Sequence, residues 1–224
     1  MKAQLHFREQ LEMLKSRLVE MAAQTEEAVR MAVEAFLERD EARAQQVIDS
    51  DPEIDRIEME IDERVIQLLA LQQPLASDLR FITMAMKISN DLERMGDHAV
   101  NIAKEVLRLL QHPRIGPLPE IEEMVSVATK MLSDGLDAFI RRDAELAREV
   151  VLRDDRVDDL HANVFRILLT QMMENPRNIG PCTETLLVSR NLERIADLTT
   201  NVAEDVVYMV EARVIKHGAE KLAQ

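Results

Sequence analysis

One polar helical cassette occurs twice in this chain, a hundred positions apart, and this duplication limits the folds available to it. The first copy, NDLERMGDHAVNIAKEV, runs from Asn90 to Val106, and the second, RNLERIADLTTNVAEDV, from Arg190 to Val206. Leu92, Glu93, Arg94, Asp97, Asn101, Ala103 and Val106 match Leu192, Glu193, Arg194, Asp197, Asn201, Ala203 and Val206 in type. Most of these positions are polar, which shared core packing does not demand. The repeat also reaches upstream: EIDRIEMEIDERVIQLL precedes the first cassette and RDDRVDDLHANVFRILL the second, so Ile61, Asp62 and Glu63 align with Val157, Asp158 and Asp159. The repeating unit is therefore larger than a helix.

Each unit reads as helical. There are only 5 Gly and 7 Pro in 224 residues, and abundant Leu, Met, Ala, Glu and Arg favour helix because their side chains are cheaply ordered there. Sustained period-two alternation is nearly absent. The first segment, from His6 to Arg39, sets Leu11, Leu14, Leu18, Met21, Thr25, Ala28, Ala32, Ala35 and Phe36 near one stripe. A turn at Asp40 leads to a second helix over Glu41 to Gln72, with a bend expected where Asp51 precedes Pro52. Pro74 interrupts the pattern, and a third helix fits Ser77 to Leu110.

The clearest boundary is HPRIGPLPE, from His112 to Glu120, where Pro and Gly concentrate. A second triplet follows over Glu120 to Arg141, Asp143 to Met173 and Cys182 to His217, with NPRNIGP as its second turn. Short loops between long helices make neighbours antiparallel. The expected architecture is all-α: two tandem three-helix bundles in a pseudo-symmetric six-helix protein, with residues 1–112 as the first bundle, 113–118 as linker and 119–224 as the second.

Antiparallel pairing gives the acids a geometry. Residues four apart share a helix face, which joins Glu93 to Asp97, Glu193 to Asp197, Glu58 to Asp62 and Asp154 to Asp158. In a hairpin, residues at one height have a constant sum of position numbers. Glu58 with Asp97 and Asp62 with Glu93 share one such sum, centred on the Pro74 turn; Asp154 with Asp197 and Asp158 with Glu193 share another, centred near Pro176. Each half can thus bring four carboxylates to one level.

Like charges four apart cost about 0.2–0.5 kcal/mol on an isolated helix, and convergence across two helices costs more unless compensated. Arg94 and Arg194 offset part of this. A hard, oxygen-seeking cation (Mg²⁺, Mn²⁺, Fe or Zn) compensates more directly, whereas the plain alternative is a charged face in solvent. Asn101 and Asn201, two turns beyond Glu93 and Glu193, serve either to support such a site or to bond between helices. Ferritin-like carboxylate enzymes use Glu-x-x-His, but Asp158 with His161 is matched by Asp62 with Val65, and His98 by Leu198. These histidines read as local polar groups, and no Gly-rich phosphate loop or Cys/His arrangement accompanies the acids.

Charge narrows the partners. With 28 Lys and Arg against 42 Asp and Glu, the net charge of −14 disfavours an extended nucleic-acid footprint. Cys182 is the lone cysteine, which excludes a disulfide framework and reads as structural. Glu9 stands where a signal peptide needs its apolar run, no stretch reaches bilayer length, and the expected location is cytoplasmic.

The two cassettes LERMGD and LERIAD, the upstream IDERV and VDDLH segments, and QPLASDLR from Gln73 to Arg80 together resemble the PhoU family of phosphate-signalling proteins, from His6 to about His217. The resemblance implies paired three-helix bundles that place multinuclear metal clusters on acidic motifs. By motif match, Glu58, Asp62, Glu93 and Asp97 would hold one cluster and Asp154, Asp158, Glu193 and Asp197 the other. The second half departs from the first in Asp154 for Glu58, Ala196 for Gly96, and a longer turn for QPLASDLR. The resemblance further implies negative regulation of the phosphate-starvation response and of high-affinity phosphate uptake, without catalysis. Implied partners are the phosphate ABC transporter ATPase and the phosphate sensor histidine kinase, with peripheral membrane association through them; a homodimer is compatible. The rival expectation is a carboxylate-bridged metal enzyme acting on phosphate esters or oxygen, weakened by the missing general acid.

Overall fold

The computed structural model describes residues 2–71 and 74–215, with side chains from residue 6 onward. The described residues are all-helical: α1 (Lys2–Glu38), α2 (Glu41–Leu71), α3 (Ala76–Leu109), α4 (Pro119–Arg141), α5 (Ala144–Val151), α6 (Asp154–Glu174) and α7 (Ile179–Glu211). The six-helix, pseudo-symmetric plan holds, with the fifth helix divided into α5 and α6. Gln72, Gln73 and His217, named above at helix or motif ends, lie outside the described residues.

Helix α2 is continuous through Pro52; a proline inside a helix forfeits one backbone hydrogen bond, and the apolar stripe Ala44, Val47, Ile54, Ile57, Ile61, all buried, holds both sides of it against the core. Two local differences from expectation have physical causes. The break at Leu152 and Arg153 carries no Pro or Gly signal. Here Asp134 of α4, 7% exposed, accepts from both Lys130 and Arg153, which fastens the chain at the break. Finally, α7 begins at Ile179, after a single 3₁₀ turn over Pro176–Asn178. Pro181 fits because the first helical N–H groups have no intrahelical acceptor.

The first turn of each half repeats in detail. Arg39 (φ 59°) and Arg142 (φ 55°) end α1 and α4 in the left-handed conformation, which costs a non-glycine residue roughly 1–2 kcal/mol. Each is followed by an aspartate that caps the next helix: Asp40 accepts from Arg43 N at 3.0 Å, and Asp143 from Glu145 N and Leu146 N at 3.1 and 3.0 Å. Such caps contribute about 1 kcal/mol. Arg39 also donates to the carbonyls of Leu109 and His112, the latter at 2.7 Å, and so closes the C-terminal end of α3.

The halves meet along α3 and α7, which run antiparallel. Lys87 reaches Asp205 at 3.3 Å, the His98 ring nitrogen Nδ1 pairs with Asn191 Oδ1 at 2.9 Å, and Arg108 lies 3.9 Å from Glu184. The main apolar core draws on every helix and includes Leu14, Ile61, Leu92, Met95, Met131, Val157 and Ile195. A smaller cluster of Leu118, Ile121, Val164, Leu168 and Cys182 lies beneath the link between halves. No helix of the described residues is long and apolar enough to cross a membrane.

Candidate metal centre

Core packing fixes the acids. Ile57, Ile61 and Val65 of α2 and Leu92, Met95 and Ala99 of α3 are fully buried, as are Val157 of α6 and Leu192 and Ile195 of α7. With those stripes inward, the i, i+4 acids of each helix pair fall on the flank of the groove between them.

In the second half, Asp158, Glu193 and Asp197 each bring a carboxylate oxygen within 4.8 Å of the others. This trio can coordinate a metal ion. Asp154 stands one turn before Asp158, and its Oδ1 is buried without a hydrogen-bond partner. Its carboxyl is pushed up to about 6 by burial, then by the charges of Asp158 and Asp197, with the nearby Thr200 hydroxyl opposing. Asp158 is raised by burial and then by Asp197 and Asp155, while His161 opposes. Arg194 tempers this field, 2.9 Å from Asp197 and 3.5 Å from Glu193.

The first half is looser. Glu58, Asp62 and Glu93 are half-buried and Asp97 is exposed; among the described residues no trio there comes as close as that of the second half. They nonetheless share one field. Burial raises Glu93, and so, in order, do Asp97, Asp55, Glu58 and Asp51. Glu58 is raised by burial, Asp62 and Asp55. Asp62 Oδ1, like Asp154 Oδ1 in the second half, is buried with no partner. Orphaned carboxylate oxygens in both halves, within all-oxygen donor sets, fit a hard cation.

Sequence reasoning missed Asp51 and Asp55. Burial raises Asp51, then Asp55 and Asp97 raise it further, against Lys104. Both acids continue the helical spacing of Glu58 and Asp62 one and two turns earlier, a signal the sequence did contain. The aligned second-half positions carry Ala147 and Val151, so a comparison restricted to matched acids passed over them. The histidines sit as local polar groups: His98 on Asn191, and His161 Nδ1 2.7 Å from Ser189 Oγ. Asn101 is exposed and Asn201 half-buried.

Fold and site together define a class: a duplicated all-helical bundle with acidic groups on its antiparallel helix pairs, of which Asp158, Glu193 and Asp197 in the second half are able to coordinate a metal ion. The PhoU domain model matches residues 18–106 and 121–206, one match in each half. The phosphate-specific transport system accessory protein PhoU homolog of Clostridium acetobutylicum is 40% identical over 210 residues, covering 93% of this chain and 96% of that protein. The homolog of the same description from Aquifex aeolicus is 40% identical over 208 residues, 93% and 94% of the two chains. The crystal structure of PhoU from Pseudomonas aeruginosa superposes with a TM-score of 0.88 at 39% identity, covering 92% of this chain and all of that one. The phosphate transport system regulatory protein PhoU from Streptococcus pneumoniae gives 0.86 at 29% identity, covering 94% and 99%.

The chain belongs to the PhoU family. Its relatives are accessory and regulatory proteins, which places this chain in the regulation of phosphate homeostasis and not among enzymes.

Proposed function

We propose that this protein is a negative regulator of phosphate-starvation signalling and high-affinity phosphate uptake, and that metal ions on its two acidic helix pairs set the conformation its partners bind. The partners are the ATPase of a phosphate ABC transporter and a phosphate sensor histidine kinase, approached from the cytoplasm, with the protein at the membrane only through them. A homodimer is compatible with this role. Glu58, Asp62, Glu93 and Asp97 serve the first site, and Asp154, Asp158, Glu193 and Asp197 the second, one in each half, 1–112 and 119–224.

The observation that carries the metal reading is the gathering of Asp158, Glu193 and Asp197 within 4.8 Å beside an unpartnered Asp154 oxygen. Iron, zinc, manganese and magnesium all accept such ligands. A cation bridging α6 to α7, or α2 to α3, would link helices that otherwise repel through these acids. Regulation then follows from differential binding: a partner that favours the bridged arrangement shifts the population towards it.

The test is affinity for the transporter ATPase and for the kinase before and after chelation, with circular dichroism showing that the helices persist. Loss of binding on metal removal and recovery on reloading support the reading. Unchanged affinities in the fully stripped protein contradict it.

A further inference from the structure

The matched cassettes place their arginines differently. Arg194 turns forward onto its own site, 2.9 Å from Asp197 and 3.5 Å from Glu193. Arg94 turns back to Asp91 at 3.5 Å instead of pairing with Glu93 or Asp97. One difference between the repeats accompanies this. Position 91 is an aspartate three residues before Arg94, on the same helix face, whereas its counterpart is Asn191, which carries no charge to hold Arg194. Asn191 is engaged elsewhere: its amide donates to the Leu187 carbonyl at 2.8 Å and its oxygen pairs with His98 across the seam.

The acids differ between the halves as well. In the second half, Asp158, Glu193 and Asp197 each bring a carboxylate oxygen within 4.8 Å of the others. In the first half, among the described residues, no trio reaches that separation.

We propose that Arg194 is a built-in cation of the second acidic site, which an incoming metal must displace, and that Asp91 keeps Arg94 parked so that the first site stays open. This rests on the metal reading above. The metal and the guanidinium compete for the same carboxylate oxygens, and a guanidinium left beside a bound cation adds like-charge repulsion. The first site therefore loads at lower metal concentration than the second, and Asp91 and Asn191 set the difference. An exposed ion pair contributes about 0.2–1 kcal/mol, so removing the competitor should tighten binding about 1.4- to 5-fold.

The test is Mn²⁺ binding, followed by calorimetry and by the free-ion electron paramagnetic resonance signal. One background, Glu93→Gln with Asp97→Asn, isolates the second site; the other, Glu193→Gln with Asp197→Asn, isolates the first. In the former, Arg194→Gln should tighten Mn²⁺ binding about 1.4- to 5-fold, and Asn191→Asp, which keeps an oxygen for His98, should shift it the same way by drawing Arg194 back. In the latter, Asp91→Asn should weaken binding. Circular dichroism melting confirms folding, and Asn191→Asp provides the answer should Arg194→Gln unfold. Binding unaltered or weakened by the variants at 194 and 191 overturns the competitor role while leaving the metal sites in place. Failure of the unsubstituted protein to take up Mn²⁺, Fe or Zn at either site overturns the metal reading itself, and the competitor role with it.

Discussion

Glu105 of α3 and Glu184 of α7 face each other across the seam between the two halves. Glu105 is 8% exposed, and Arg108 donates to both its oxygens at 2.8 and 2.9 Å. Burial, followed by the hydrogen bond with Glu184, pushes Glu105 up to about 7 in spite of Arg108. The matched position, Asp205, meets Lys87 at 3.3 Å.

This pair makes stability pH-dependent with a definite sign. Below the ordinary glutamate value of 4.5 both folded and unfolded chains hold the proton; between there and about 7 only the folded chain does. Stability therefore falls as pH rises through this window, by on the order of 3 kcal/mol from this site. Urea unfolding of chelator-treated protein at intervals from pH 5 to 8 should show the decline, and Glu105→Gln should flatten it. Parallel curves for the two proteins would exclude the pair as its source.

Two glycines that look alike in sequence should respond oppositely to alanine. A Cβ at Gly135 of α4 meets Thr199 Cγ2 of α7 at 2.7 Å, so Gly135→Ala forces the two helices apart and should cost about 1–3 kcal/mol. A Cβ at Gly96 comes tightest on Cδ1, the far end of the Ile54 side chain, at 3.2 Å, with Ile54 Cγ2 at 3.6 Å and Asp51 Oδ1 at 3.7 Å in ordinary contact. There the helix-propensity gain of about 1 kcal/mol offsets the contact, and Gly96→Ala should be near neutral. The second cassette already carries Ala196. Thermal melts of the two variants decide the matter.

Asp134 should prove a structural anchor for the second acidic site. Burial alone would raise its carboxyl, but hydrogen bonds from Lys130 and Arg153 outweigh that and hold it below the usual range. Asp134→Ala leaves Arg153, one residue before Asp154, without that acceptor. A destabilisation of about 1–3 kcal/mol is expected, together with weaker metal uptake in the second half and unchanged uptake in the first. Equal loss at both sites would contradict local anchoring.

The helices were legible because they follow from local rules: the apolar stripes give the period, and Pro74 and Pro176 punctuate it. The constant-sum relation brings Asp158 level with Glu193 in the second half, but in the first half Gly96 faces Ile54 and Asp51, and Glu93 shares its field with Asp55, Glu58 and Asp51, so that hairpin is shifted along α2 from the expected pairing. What escaped depends on contacts distant in sequence. The division of the fifth helix at Arg153 depends on Asp134, nineteen positions earlier, and neither residue breaks helices by itself. The antiparallel seam of α3 with α7 joins residues about a hundred positions apart, such as His98 and Asn191, and no periodicity within either helix announces its partner. Asp51 and Asp55 were hidden by the assumption of symmetry, since Ala147 and Val151 replace them in the other half.

The most direct measurement of the central claim is anomalous scattering from crystals grown with Mn²⁺ or iron, recorded across the metal absorption edge. The account predicts peaks between α6 and α7, bounded by Asp154, Asp158, Glu193 and Asp197, and between α2 and α3 beside Glu58, Asp62, Glu93 and Asp97. Metal-saturated crystals with no anomalous density at either helix pair would contradict it.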